Sequence, residues 1–427
     1  MTRHRFASRR VRAMPASVFA TMDRAKSEAA ARGLEVIDLS IGSSDLPPPP
    51  TALAAIRDAA HDPATHGYCL HAGTRPLREA AVAWYRRRYG LELDPEREAL
   101  ALIGAQEGFS SLLLAVTDPG DAILLPEPGY PSWFGAVALA GLERVPLPLS
   151  EANRFLPDLD AVAPDVAERA KVLVLSYPNN PTAATADAAF FARAVAWCER
   201  HDLLLLHDFP YVDLVFGAAD APSALAAPGG RERVVELYSF SKSFHMAGFR
   251  IGFALGAAEA IDALARVKGA VDFNAWAGIQ RGAVAALGAP RERVRADAER
   301  YRVRRDALVR ALNDAGVPTA VPEASMYVWT RLPGGATDSA AFAAELVAET
   351  GVAVSPGIGF GPSGEGWMRL ALVREPEVLS EAAARIGAID SSPTPLTIRC
   401  AATAGASRPV STTTPPRASP DAATNSG

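Results

Sequence analysis

Five short apolar runs do most to limit what this chain can fold into: ALALI (99–103), AILLP (122–126), KVLVLS (171–176), DLLLLH (202–207) and RVVELYS (233–239). Apolar at nearly every position, they read as strands buried on both faces, the pattern of a parallel sheet. The residues directly after each run are polar or glycine-bearing: GAQEG, EPGYP, YPNNPT, DFPY and FSK. In open α/β sheets ligands bind beyond the carboxyl ends of the strands, so these five loops are expected to converge on one pocket.

From about Gly33 to about Asp390 such runs alternate with longer amphipathic stretches, as in an α/β fold of strands crossed by helices. A chain of 427 residues suits a large domain and a smaller one. ASMYVWTRL (324–332), GVAVSP (351–356) and GWMRLALV (366–373) read as strands of a smaller α+β unit, and the arginine-laced stretch 287–312 as a solvated connecting helix. The first twenty-two residues hold arginines and no acid, which is superficially transit-peptide-like. Apolar residues at Met14, Val18, Phe19 and Met22 continue into a helical pattern to about Arg32, which favours an N-terminal arm instead. Residues 391–427, rich in proline, serine, threonine and alanine, read as a disordered tail.

Composition excludes several function classes. A net charge of −5, with no long basic stripe, argues against a nucleic-acid surface and leaves small molecules or further copies of the chain as partners. Cys69, Cys198 and Cys400 have no paired spacing, which fits a reducing, cytoplasmic compartment. No apolar run is long enough to cross a bilayer. Neither a GxSxG elbow nor an HExxH pair occurs, so serine-hydrolase and metal readings are set aside, and His207 beside Asp208 is taken as a structural neighbour. GFGPSG (359–364) matches the dinucleotide fingerprint only formally, because a strand-like segment and no helix comes after it; a flexible loop near the pocket is expected there.

Lysine occurs only at Lys26, Lys171, Lys242 and Lys268, the remaining basic residues being arginine. A Schiff base needs a primary amine that can lose its proton, and arginine cannot supply one. Lys242 stands just past a strand end in SFSKSFHMAGFR, with Ser239, Ser241 and Ser243 beside it and Arg250 downstream. Such a set suits an aldehyde cofactor that also carries a phosphate. In GAQEG (104–108) a glycine turn opens a helix, whose N-terminus favours an anion by roughly 0.3–1 kcal/mol.

These segments together resemble the class I/II aminotransferases, fold-type-I enzymes dependent on pyridoxal 5′-phosphate. SFSKSFHMAGFRIG (239–252) is similar to that family's SxSKxxxxxGxRxG signature, YPNNPT (177–182) to its NNPT loop and HDFPYVDLVF (207–216) to its DxxY segment. EPGYPSW, IDLSIGSSDLPPPP (37–50) and WMRLALV stand in the family's order, and the likeness spans roughly residues 9–390. EASMYVW (323–329) and SPGIGFGPSGEGWMRLALV (355–373) resemble the branch of LL-diaminopimelate and aspartate-aminotransferase-like enzymes. GSSD replaces the branch's usual GDPD, and GAQEG its GSKEG.

The resemblance implies a large domain with a mostly parallel central sheet (49–286), a small α+β domain (287–390) joined by part of 1–48, and the tail 391–427. It implies Lys242 as the Schiff-base amine and proton shuttle, with Asp208 on the pyridine nitrogen. Asn180 and Tyr211 would bond the ring oxygen, and Tyr130 would stack on the ring. The phosphate would fall to Ala105, Gln106, Ser239 and Arg250, with Tyr68 reaching the phosphate of a neighbouring subunit in a homodimer with shared sites. Gly42, Asn180 and Arg369 would hold the substrate carboxylate; without the resemblance Arg369 reads as an exposed strand arginine. The implied reaction moves an α-amino group between an L-amino acid and a 2-oxo acid. The same cofactor could instead serve an oxidase, lyase or decarboxylase, since the bond broken depends on its alignment with the ring. A non-catalytic regulator is the remaining alternative, although only about forty residues precede IDLSIG, too few for an added DNA-binding domain.

Overall fold

The computed structural model describes residues 6–14, 18–69, 72–217 and 219–389. The 391–427 tail and parts of the N-terminal arm lie outside the described residues. Strand β1 (Ile37–Asp38) comes first. After it come β2 (Ala99–Leu102), β3 (Ala122–Glu127), β4 (Glu143–Pro148), β5 (Ala170–Leu175), β6 (Leu204–Asp208), β7 (Val234–Ser239) and β8 (Gly252–Gly256). These last seven form one sheet in the order β2-β8-β7-β6-β5-β3-β4.

All five expected strands are present in it, and alternate residues explain their continuous apolarity. In β5, Leu173 and Leu175 enter one hydrophobic core while Val172 and Val174 enter another; in β7, Val234 and Tyr238 divide from Val235 and Leu237 in the same way. Burial on both faces leaves no position for a polar alternation.

Two further strands lack that apolar signature. β4, ERVPLP, is an edge strand, where proline is tolerated and most side chains stay exposed. β8 is antiparallel to both β7 and β2, so β2 shares the direction of the parallel set without bonding to it directly. β8 begins and ends on glycine for a steric reason: a Cβ on Gly252 would lie 2.5 Å from Tyr238 O, and one on Gly256 1.9 Å from Val234 O.

β9 (Tyr327–Arg331), β10 (Val352–Ala353), β11 (Ser355–Pro356) and β12 (Trp367–Ala371) complete the described strands. β12 pairs antiparallel with both β9 and β11, and β10 pairs parallel with β1. A third core joins Met22, Ile37, Leu39 and Leu46 to residues from Ala298 through Ile386, so both ends of the described chain build it together.

The N-terminal arm contains helices Arg9–Ala13 and Val18–Ala31. The arginine-laced helix runs Arg291–Asp314, but one of its faces is buried rather than solvated. Tyr301, Leu308 and Leu312 lie on that face, as does Arg304, whose guanidinium meets both Asp45 oxygens at 2.8 and 2.7 Å and Glu375 at 2.6 Å. Three carboxylate oxygens offset the cost of burying that cation.

Candidate functional site

The strand ends converge as the sequence implies. After β2 the chain turns at Gly104, φ +82°, into the helix Ala105–Val116. A Cβ on Gly104 would stand 2.6 Å from Arg250 Nη2, so only glycine lets the guanidinium approach this turn. The first N–H groups of the helix have no intrahelical acceptor. Arg250 donates from Nη1 to Ala247 O at 3.1 Å and makes no ion pair among the described residues. Ser239 and Ser241 line the same end of the cavity. Free N–H groups, two hydroxyls and an unpaired guanidinium form a cradle suited to a phosphate dianion.

Asp208 closes β6 and Lys242 lies in the single-turn helix Phe240–Ser243 after β7, the neighbouring strand. Burial lifts the Asp208 carboxyl from 3.8 to about 6, against the opposing pull of the Trp133 indole N–H (3.0 Å), His207 and Lys242. A buried carboxylate with one free side is a good acceptor for a protonated ring nitrogen. Lys242 Nζ donates to the Gly42 carbonyl and lies 5.8 Å from the centre of the Tyr211 ring. Tyr211 bonds the Tyr327 hydroxyl at 3.1 Å. Burial pushes the Tyr211 phenol up; around Tyr327 the burial penalty is outweighed by the Lys242 and Arg369 cations, which hold that phenol down.

Arg369, in β12, is 2% exposed, which corrects its reading as an exposed strand residue. Nη1 donates to Asn180 Oδ1 at 2.9 Å, and Nη2 to Ser40 O at 2.8 Å and Ser355 Oγ at 3.0 Å. Tyr327 and Phe360 face the guanidinium with ring centres 4.1 and 4.9 Å away. No carboxylate pairs with Arg369 among the described residues, and its Nε has no hydrogen-bond partner. A buried cation without a counter-charge is a strong attractor for an anionic ligand. Gly42 opposite is also sterically required, since a Cβ there would sit 1.9 Å from the Tyr327 hydroxyl.

One cavity of about 340 Å³ is lined by Gly42, Ala105, Gln106, Tyr130, Asn180, Asp208, Tyr211, Ser239, Lys242, Arg250 and Arg369. Tyr68 is not among its walls: it is 84% exposed, its ring 5.4 Å from that of Phe273. Sequence reasoning misses Trp133, Tyr327, Ser40 and Ser355 as contributors. All four stand inside segments already singled out, EPGYPSW, EASMYVW, IDLSIGSSDLPPPP and SPGIGFGPSGEGWMRLALV, but nothing local marks the two serines as partners of Arg369.

His207 is the structural neighbour expected: fully buried, it hydrogen-bonds Glu236 Oε1 through Nδ1 at 2.7 Å. The GFGPSG segment departs from expectation in form. It folds into two short 3-10 turns, Gly357–Phe360 and Pro362–Gly364, packed so closely that a Cβ on Gly357 would meet Gly364 O at 1.8 Å. Ser363 anchors it further, donating from N and Oγ to Glu127.

The family described as aminotransferase class I and II matches residues 35–386. An LL-diaminopimelate aminotransferase of Moorella thermoacetica is 41% identical over 379 residues, 89% of this chain and 97% of that protein. The solved structure of a probable N-succinyldiaminopimelate aminotransferase from Thermus thermophilus is similar at 53% identity and TM-score 0.84, covering 87% of this chain and 99% of the other. An aspartate aminotransferase from Thermus thermophilus is similar at 30% identity and TM-score 0.83, with 89% and 98% covered.

Proposed function

The chain belongs to the aminotransferase class I and II family, and from that premise we propose how its residues carry out amino-group transfer. The family depends on pyridoxal 5′-phosphate, and the residues of this cavity fit that cofactor. Bound there, it supplies an aldehyde carbon that can carry an amino group and a ring that withdraws electrons from the adjacent bonds. Lys242 would hold it through its amine and is the base placed to move the proton at the substrate's Cα. Asp208 would accept from the ring nitrogen and keep it protonated. Asn180 and Tyr211 would bond its ring oxygen, and Tyr130 would pack against the ring. Ala105, Gln106, Ser239 and Arg250 would hold the phosphate. Arg369 takes the α-carboxylate of the amino acid in a paired hydrogen bond, with the backbone at Gly42 and the Asn180 amide on the same group.

Beyond one chain, the proposal includes a homodimer in which Tyr68 reaches the partner's phosphate, in line with its exposure on this one. It divides the chain into a cofactor domain (49–286) and a small domain (287–390) completed by part of 1–48. A cytoplasmic location belongs to the same reading, supported by the unpaired Cys69 and Cys198. No described helix is long and apolar enough to cross a membrane.

The observation that carries the proposal is the meeting of Lys242, Asp208 and Arg369 around one cavity. The test is an absorbance titration of the purified protein, loaded with pyridoxal phosphate, against a panel of L-amino acids without any oxo acid. Diaminopimelate and its N-succinyl derivative head the panel because relatives are named for them. Conversion of the cofactor band to the amine form by one or a few amino acids is expected, and names the donor. Oxygen uptake or loss of the side chain would point to an oxidase or lyase instead. Lys242→Ala should lower turnover by about 100-fold to 10,000-fold, the range for removing a positioned proton carrier. Turnover at the wild-type rate in that variant would end the assignment.

A further inference from the structure

We propose that Lys268 and Glu107 form a positioning pair that sets the affinity of the Gly104 turn for the cofactor's phosphate; the inference rests on the cofactor reading above. Lys268 is fully buried in the helix Ala258–Val271. Its Nζ lies 2.8 Å from Glu107 Oε2 and 2.9 Å from Asp272 Oδ2. Glu107 belongs to the first turn of the helix Ala105–Val116, the same turn that presents the N–H groups of Ala105 and Gln106. Its Oε2 also accepts the Ile103 N–H at 2.9 Å, and its Oε1 the Ser111 hydroxyl at 2.7 Å.

A carboxylate in a first turn stabilises its helix, yet it repels a second anion brought to the same terminus. Lys268 sets a positive charge against it, and because the ammonium is fully buried and the carboxylate mostly so, water and salt screen the pair only weakly. The ammonium also ties two segments together. Asp272 Oδ1 accepts the Asn274 N–H at 2.6 Å, and Asn274 Nδ2 donates to Ala101 O, in β2, at 2.8 Å. Lys268 therefore reaches the helix after the turn through Glu107 and the strand before it through Asp272 and Asn274. The Gly104 turn is suspended between those two tethers.

The test compares dissociation constants for pyridoxal phosphate and for pyridoxal, which has the same aldehyde and ring but no phosphate. Lys268→Met should weaken pyridoxal phosphate about tenfold or more, the scale of one charge-assisted hydrogen bond, and leave pyridoxal nearly unchanged. Adding Glu107→Gln to it should recover part of the loss, because the repelling charge is gone while an amide oxygen still accepts the Ile103 N–H. Glu107→Gln alone should raise the preference for the phosphorylated form, and supplies the reading if Lys268→Met does not fold. Equal losses for both ligands in Lys268→Met would mean a merely structural lysine and overturn the inference. An unchanged preference in Glu107→Gln would do the same. A wild-type protein that binds both ligands equally would instead remove the cofactor reading on which the pair depends.

Discussion

On one side of the cavity Asp208 ends β6 and Lys242 stands just beyond the end of the adjacent parallel β7, so the backbone ladder between the two strands sets their spacing. On the other side Arg369 is held by side-chain donation to Ser40, Asn180 and Ser355, from three separate segments of the chain. The first arrangement is as stiff as the sheet. In the second, β12 fixes only the backbone of Arg369, and the placement of its long side chain depends on a few hydrogen bonds, each worth about 0.5–1.5 kcal/mol or somewhat more to a charged group. In the proposed reaction the group that stays bound lies on the stiff side, and the group that is exchanged at every turnover lies on the other.

Arg369→Gln should separate the two sides most sharply. Two charge-assisted hydrogen bonds to a carboxylate are lost, so kcat/KM for the amino acid should fall on the order of 100-fold or more. The dissociation constant of the cofactor should stay near wild type. A parallel loss of cofactor would show that the sides are not independent.

Asp208→Asn tests the stiff side through pH. In the unfolded chain this carboxyl ionises near 3.8, and in the native, cofactor-free protein near 6. Between those values the native state holds a proton that the unfolded chain has released, so stability falls as pH rises through the window. Above it the penalty is complete, at about 3 kcal/mol. Asparagine removes the charge and keeps an acceptor for Trp133. The cofactor-free variant should therefore outlast wild type in urea by about that amount near pH 8, with the gap closing near pH 4. Equal midpoints at both pH values would place the carboxylate in a more polar setting than its burial implies.

The smallest effect belongs to Ser355→Ala. One of the ties on Arg369 is lost while the guanidinium remains, so KM for the amino acid should rise by about threefold to tenfold with kcat little changed. A loss as large as that of Arg369→Gln would mean that the serine, and not the arginine, dominates that side.

The contrast also decides what can be read without coordinates. Strands buried on both faces write themselves as unbroken apolar runs, and the residues just after them fall on the sheet's carboxyl edge; Asp208, Asn180 and Lys242 are legible for that reason. The edge strand β4 breaks that pattern with two prolines, and β8, bounded by glycine at both ends, does not announce itself. Arg369 can be picked out only by resemblance. The rings of Tyr327 and Phe360 cover it and Ser40 and Ser355 accept from it, and no periodicity connects these residues to it. Lys268 gives no local sign either, since an ion pair across 161 residues has no signature in sequence spacing.

The pairing of β1 with β10 has a consequence for the chain as it is made. The seven-stranded sheet has all its strands once Gly256 has left the ribosome, and its helices can pack soon after. Ile37 and Leu39, by contrast, wait for hydrogen-bond partners at Gly351 and Ala353, more than three hundred residues later. Closing so long a loop comes late in folding. A nascent chain thus carries its amine in place well before its guanidinium, and the N-terminal segment that bridges them is among the first parts synthesised and the last to find its seat.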